Sequence, residues 1–226
     1  MGEPIRAIVI DLEGAALPMS FLTGTLAPLA REKLGAFIAA HAEEEEVEEA
    51  LEETGRLMGG FDLKPSEAEA LLQRWMKQDR KATPLKFLQG RIWREAQEAG
   101  ALEIEFYEDA AFALKAWAAA GLRLFVYSSQ SQEAQKMLLA HTPYGDLTGL
   151  FEGFLDTSLG QKTEPGSYRD LVERLAMPAG EILVLSGNEE ELDAAQSAGL
   201  ATARVIREAT EKSCHAASPD FASLQF

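Results

Sequence analysis

A single cysteine in 226 residues, Cys214, rules out an intrachain disulfide and suits a reducing compartment. Its thiol sits beside His215 in a polar stretch with no third group to activate it, so an incidental cysteine is the plainer reading. Long apolar runs are missing as well. None approaches the ~18 residues that a bilayer-spanning helix needs. The start, Met1-Gly2-Glu3-Pro4, lacks the basic-then-apolar layout of a secretory signal, and a cytoplasmic location is expected. Positive charge is scarce: 21 Lys and Arg stand against 37 Asp and Glu, a formal charge of −16. Such a surface repels nucleic acid and anionic lipid, which argues against either as a partner. It repels a free anionic substrate too, so an enzyme acting on phosphate esters would need a local cationic pocket.

What is present is an ordinary globular balance, with 46% apolar and 26% charged residues. Much of the acidity is gathered in Glu43-Glu44-Glu45-Glu46 with Glu48, Glu49, Glu52 and Glu53, and reads as a solvated helix face rather than a metal site. Four short apolar runs, Ile5 to Asp11, Leu122 to Tyr127, Ile182 to Leu185 and Ala201 to Ile206, have the length and composition of strands buried on both faces. Helical patterns separate them: Asp109 is placed to cap one that stops at Gly121. This alternation predicts a parallel sheet between helices. The stretch from about Thr23 to Gly100 breaks it, with roughly four helical patterns and no strand signal, the mean helix being about 11–12 residues. One pattern opens on a capping box, Ser66 with Glu69, and another on Thr83-Pro84. The expected division is therefore a core of residues 1–22 and 101–226 and a helical insert of residues 23–100.

Ligands of open α/β sheets sit beyond the carboxyl ends of the strands. The segments at that rim are Asp11-Leu12-Glu13-Gly14, Ser128-Ser129-Gln130-Ser131 and Ser186-Gly187-Asn188-Glu189. A carboxylate at the Asp11 position can attack phosphorus, and a second one at Glu13 can carry protons. The competing reading is a capping Asp in a strand–turn. Ser128 and Ser129 offer donors for phosphate oxygens, or cap the helix beginning near Ser131. Lys162 in Gly160-Gln161-Lys162-Thr163-Glu164 could balance carboxylate and phosphate, or be a surface lysine.

Taken jointly, these motifs resemble the acireductone synthase (enolase-phosphatase) family of haloacid-dehalogenase-like hydrolases. The resemblance is carried by Asp11-Leu12-Glu13-Gly14, Tyr127-Ser128-Ser129 with Ala134-Gln135-Lys136, Phe154-Leu155-Asp156-Thr157, Lys162-Thr163-Glu164 with Ser167-Tyr168, and Glu191-Leu192-Asp193-Ala194-Ala195. In the helical insert it is carried by Trp75-Met76, Asp79 to Thr83, Leu85-Lys86, and Leu88-Gln89-Gly90 with Trp93. It implies a Rossmann-like haloacid-dehalogenase core with an all-helical cap inserted after the first strand, in a monomeric, magnesium-dependent enzyme of methionine salvage. Such enzymes convert 2,3-diketo-5-methylthiopentyl-1-phosphate to acireductone by enolisation and dephosphorylation. The resemblance makes Asp11 the nucleophile and a metal ligand. It gives Glu13 a backbone metal contact and proton transfer, Ser128 and Ser129 the substrate oxygens, Lys162 charge balance, and Lys86 and Gln89 closure over the substrate. Trp75, Met76 and Trp93 are better read as packing within the insert.

The catalytic loops depart from the family at five positions. Ala15 and Ala16 replace threonines, Gln130 replaces glycine, and Gly187-Asn188 replace an Asp-Val whose aspartate is the family's magnesium ligand. Magnesium usually takes one or two carboxylates with substrate phosphate. Asn188, Glu189 or Glu190 are the candidates to substitute, and weakened metal binding is expected. Two readings follow: a working phosphatase with an altered metal site, or a phosphatase fold that has lost catalysis and binds a ligand or partner. A metal-independent dehalogenase fits less well, because Glu13 and the insert motifs belong to the phosphatase branch.

Overall fold

The computed structural model describes residues 4–60, 62–207 and 213–224. Its sheet has six strands: β1 (Ala7–Ile10), β2 (Arg123–Tyr127), β3 (Phe151–Leu155), β4 (Ile182–Ser186), β5 (Ala201–Val205) and β6 (Ala216–Ser218). Every pairing is parallel, in the order β3-β2-β1-β4-β5-β6. The central strands are the apolar runs of the sequence. In β1 all four residues are buried, because helices cover both faces and neither face can carry polar side chains. Two strands lacked a sequence signal. β3 at the sheet edge is only partly buried, and β6 is three small residues.

The order runs outward from β1 in both directions. The topological switch point therefore falls between β1 and β4, where the connections leave to opposite sides and open a crevice. In the register of these two strands Ile10 lies opposite Leu185, so Asp11 and Ser186 emerge side by side at that crevice.

The chain divides into two compact units, one of Met1–Met19 with Ile104–Phe226 and one of Ser20–Glu103. The one-turn α1 (Met19–Phe21) and a π-helical turn over Leu22–Leu26 lead into α2 (Ala27–His41), α3 (Glu45–Arg56), α4 (Pro65–Lys77) and α5 (Thr83–Glu98). Among the described residues no strand occurs in this second unit. It has its own core, in which Leu34, Phe37, Val47, Leu51, Leu72, Trp75, Leu88 and Ile92 pack together. Each such side chain contributes roughly 1.5–3 kcal/mol by burial. Trp93 is buried and donates its indole N–H to the Leu26 carbonyl at 2.8 Å.

The sheet unit adds α6 (Glu108–Ala119), α7 (Gln132–Ala140), α8 (Pro165–Leu175) and α9 (Glu189–Ser197). Helices α8 and α9 bury Tyr168, Leu171, Leu175, Leu192 and Ala195 against Ala7, Val9, Phe125, Tyr127 and Val184. These strand residues alternate with Ile8, Ile10, Leu124 and Val126, which are buried on the other face.

Three expected helix starts are corrected. α4 opens at Pro65 with Lys64 in the cap position, and Glu67 rather than Glu69 accepts from the cap N–H at 2.9 Å. α5 has Ala82 at its cap, with Thr83 already helical. α6 is preceded by Tyr107, and Asp109 spends its carboxylate on Arg207 and on the Phe221 N–H. Ser131 does cap α7, accepting from the Ala134 N–H. The acidic run forms α3, whose Val47, Ala50 and Leu51 face the unit's core. Glu44 and Glu46 at its start pair with the buried Arg91.

Gly160, two residues before Lys162, has φ +133, and a Cβ there would lie 2.2 Å from Ser167 Oγ. Gly160→Ala combines a forbidden conformation with a clash and is expected to cost roughly 1–3 kcal/mol. Urea unfolding of the two proteins measures it. Adding Ser167→Ala should not restore stability, because the φ remains.

Candidate active site

Asp11 is the first residue beyond β1, its N–H held by the Leu185 carbonyl at 2.8 Å. The chain then turns sharply. Gly14 adopts φ +74, which its lack of a Cβ permits, and the Gly14 and Leu17 N–H groups close the loop onto Leu17 and Leu12. Arg207 secures this loop from outside by donating from Nε and Nη2 to the Ala15 carbonyl at 3.0 and 2.6 Å.

Lys162 reaches the same point from the β3–α8 connection. Tyr127 OH donates to the Gly160 carbonyl and Ser167 Oγ to that of Gln161, which fixes the lysine's loop. The ammonium lies 2.8 Å from Asp11 Oδ1 and 2.7 Å from Glu191 Oε2. Ser186 Oγ donates to the same Glu191 oxygen at 2.8 Å and stands 3.5 Å from Asp11 Oδ2. Four residues thus close a ring: carboxylate, ammonium, carboxylate, hydroxyl. Sequence reasoning placed Lys162 in a catalytic role but gave none to Glu191 or Ser186. The visible signal for Glu191 was its place in the first turn of a helix that follows a rim-ending strand.

Burial dominates the electrostatics. It pushes the Asp11 carboxyl up to about 7, against the lowering influence of Lys162 and with the help of the Glu191 and Glu13 carboxylates. For Lys162 burial works the other way, but Asp11 and Glu191 outweigh it and hold the ammonium above its usual range. The lysine is therefore a fixed positive charge at any physiological pH. It is a buried cation beside Asp11, its charge shared between the Asp11 and Glu191 carboxylates.

Glu13 points to the second rim loop. Its Oε1 accepts from Ser129 Oγ at 2.5 Å and from Gln130 Nε2 at 2.7 Å. Ser128 Oγ accepts from the Gln130 N–H, and Gln135 Nε2 donates to the Gln130 and Leu155 carbonyls, so the loop is tied to β3 and α7. Asp11, Glu13, Ser129 and Lys162 are thereby linked through the rim of one sheet, with Ser128 at the end of β2. Lys86 and Gln89 are buried on α5, in the other unit.

The three residues considered as substitute metal ligands are otherwise placed. Asn188 Oδ1 accepts from the Glu190 N–H at the start of α9. Glu189 binds Arg204 Nη1 at 3.0 Å and accepts from the Cys214 N–H at 2.8 Å. Glu190 is exposed. At position 187 a Cβ would meet only Val205 O at 3.4 Å and Gly14 C at 4.0 Å, so a side chain has room to begin there.

A parallel sheet of this order, with a buried aspartate and lysine facing each other at its switch point, defines a doubly wound α/β protein with a charged site at the carboxyl ends of its strands. The sequence matches the haloacid dehalogenase-like hydrolase family over residues 5–199. It is 60% identical to the enolase-phosphatase E1 of Xanthobacter autotrophicus over 97% of this chain and 98% of that protein. It is 44% identical to the enolase-phosphatase E1 of Pseudomonas syringae over 98% and 97%. Among solved structures, the UTR4 protein of Saccharomyces cerevisiae superposes with TM-score 0.76 and 29% identity, covering 97% of this chain and 100% of that one. CbbY of Rhodobacter sphaeroides, at 17% identity and TM-score 0.60, shares the fold. The chain belongs to the enolase-phosphatase family of haloacid dehalogenase-like hydrolases, and is a phosphatase-type enzyme.

The raised Asp11 value has a stability consequence whose sign is fixed. Between the ordinary carboxyl value of 3.8 and about 7 the folded state binds more protons than the unfolded chain. The Asp11 contribution is thus fully present below pH ~4 and is lost as pH rises through ~7. Asp11→Asn should flatten this decline. Denaturant midpoints of both proteins at several pH values from acid to neutral check it, and parallel curves would show that Asp11 titrates normally.

Proposed function

We propose that this chain dephosphorylates an enolisable phosphate ester of the acireductone-synthase type, 2,3-diketo-5-methylthiopentyl-1-phosphate, with Asp11 as nucleophile. The observation that carries the reading is the pairing of Asp11 with Lys162 at the switch point of the sheet. The enolase-phosphatase relatives, aligned over nearly their whole length, support it.

In this reading Glu13 takes a proton from the carbon that carries the phosphate ester and returns it to the neighbouring carbonyl oxygen, forming the enol. An Asp11 oxygen then attacks phosphorus and the bond from phosphorus to the ester oxygen breaks, the product departing as its enolate, while Glu13 is left as a carboxylate able to take the proton of the incoming water. Water attacks the phosphorus of the acyl-phosphate, releasing inorganic phosphate and restoring the Asp11 carboxylate. Lys162 balances the charge of nucleophile and phosphoryl oxygens throughout, at a site that burial makes electrostatically strong. Ser128 and Ser129 are assigned to the substrate oxygens. Lys86 and Gln89 are assigned to the helical unit's part in excluding water, with that unit acting as the cap.

Magnesium is the cofactor the family implies, and the donor set here fits it poorly. Asp11 and Glu191 share one ammonium, Glu13 Oε1 takes two donors, and Glu189 and Asn188 are spent on Arg204 and on the start of α9. Position 187 has no side chain. Among the described residues no three His, Cys, Asp or Glu side chains are grouped to hold a metal ion. The same fact favours a second reading, in which the site binds a phosphate ester and turns it over poorly.

Phosphate release from the diketone phosphate, with and without magnesium, separates the two. Asp11→Asn should lower release by roughly 10³-fold or more. Gly187→Asp should raise magnesium affinity in calorimetry and increase turnover, with Ala15→Thr as a supporting change. Family-typical, magnesium-dependent turnover by the unaltered chain would overturn the poor-fit argument.

A further inference from the structure

Gln130 is a side chain that the family motif does not call for, and its amide is placed with unusual definition. The residue is only 3% exposed. Its N–H donates to Ser128 Oγ and its carbonyl accepts from Gln135, so the backbone is pinned on both sides. The side-chain NH₂ faces the Glu13 carboxylate at 2.7 Å. That orientation is the only one open to the amide, since the reverse would set two acceptors against each other. The carbonyl oxygen, Oε1, must then point away from Glu13. It is buried and has no hydrogen-bond partner among the described residues. Buried polar groups are nearly always partnered, and an acceptor left alone beside reactive groups calls for a donor supplied by something else.

We propose that Gln130 is a specificity-determining residue whose side-chain carbonyl oxygen accepts a hydrogen bond from a hydroxyl of the bound phosphate ester. This rests on the phosphate-ester reading of the site. In that reading the donor is the enol hydroxyl, on the carbon next to the one that carries the phosphate. A ketone offers no donor at that carbon and its enol does. The contact therefore forms as enolisation proceeds and favours the enol over the diketone. The same amide steadies Glu13 through its NH₂ end. One side chain thus addresses the proton carrier with one end and the nascent enol with the other. Where the family has glycine, neither contact exists.

The test is binding rather than turnover, so that it stands apart from the catalytic assay. Two phosphonates that resist hydrolysis serve as probes: 3-hydroxybutylphosphonate, with its hydroxyl at the enol position, and butylphosphonate, which lacks it. Calorimetry on the full chain should show the hydroxylated probe binding about tenfold more tightly, the worth of one buried hydrogen bond. Gln130→Met keeps length and volume without the carbonyl, and should bind both probes alike at close to the affinity the unaltered chain has for butylphosphonate. Gln130→Gly provides a second variant if the first does not fold, and should likewise lose the preference. Equal affinity of the unaltered chain for the two probes overturns the proposal, as does a preference that survives both substitutions. Failure to release phosphate from the diketone phosphate, with hydroxyl preference intact, would sink the catalytic reading and leave the role of Gln130 standing.

Discussion

The ion pair between Lys162 and the two carboxylates of Asp11 and Glu191 is the constraint around which the sheet unit is arranged. Removing three charges from water is costly, and their mutual attraction offsets that cost only when geometry is good and remaining polar atoms are satisfied. Much of the surrounding structure meets those two conditions. Tyr127 and Ser167 hold the lysine's loop, Ser186 donates to Glu191, and Leu185 anchors the backbone at Asp11. These groups come from the ends of β1, β2 and β4, from the β3–α8 connection and from the start of α9. The site is thus a property of the sheet order rather than of any one loop. Only at the switch point do so many segment ends meet.

The ring carries a net negative charge, two carboxylates against one ammonium, in a setting that excludes water. Burial first, and then the Glu191 and Glu13 carboxylates, push Asp11 toward neutrality against the pull of Lys162, while Asp11 and Glu191 together hold Lys162 charged against its own burial. A site of this kind is poised to receive positive charge, either as a cation or as a proton. Gly187 bears on which of the two it takes. A carboxylate there would deepen the imbalance and favour a divalent ion. Without one, a proton on Asp11 is the easier compensation.

Much of this was legible in the sequence, and what was not has physical causes. β1, β2 and β4 showed themselves because strands covered on both faces are apolar almost throughout, and β5 by its alanines and valine despite Thr202 and Arg204. β3, Phe151-Glu152-Gly153-Phe154-Leu155, lies at an edge where polar and small residues are tolerated, and its pattern faded accordingly. The three small residues of β6 carry no periodicity at all. Helix starts at Pro65 and Thr83 were displaced by a residue or so from the positions that capping chemistry suggested, because flanking turns set them. Asp109 was read as a cap because short acidic residues favour that role, yet a distant arginine, Arg207, took its carboxylate. Such long-range competition has no local signature. Lys162 ends no strand, so its local sequence could not separate a charge-balancing lysine from a surface one. Glu191 was hidden among three consecutive glutamates, of which only the three-dimensional turn of α9 distinguishes one.

Local departures from a family motif are informative when the scaffold around them is intact, because packing alone then has no reason to change them. Gly187 and Gln130 fall on opposite sides of Asp11, at the ends of β4 and β2. The first removes an acidic group and the second adds a neutral amide that engages another. Both changes reduce what the site can offer a metal ion. Asp11, Lys162 and Glu191 remain in contact. A buried lysine between two carboxylates is costly whenever one partner goes, so the three residues stand or fall together. The triad itself, two carboxylates against one ammonium, keeps the site short of positive charge whichever ligand it takes. The altered flanks argue that the charge balance around that ligand has been set differently.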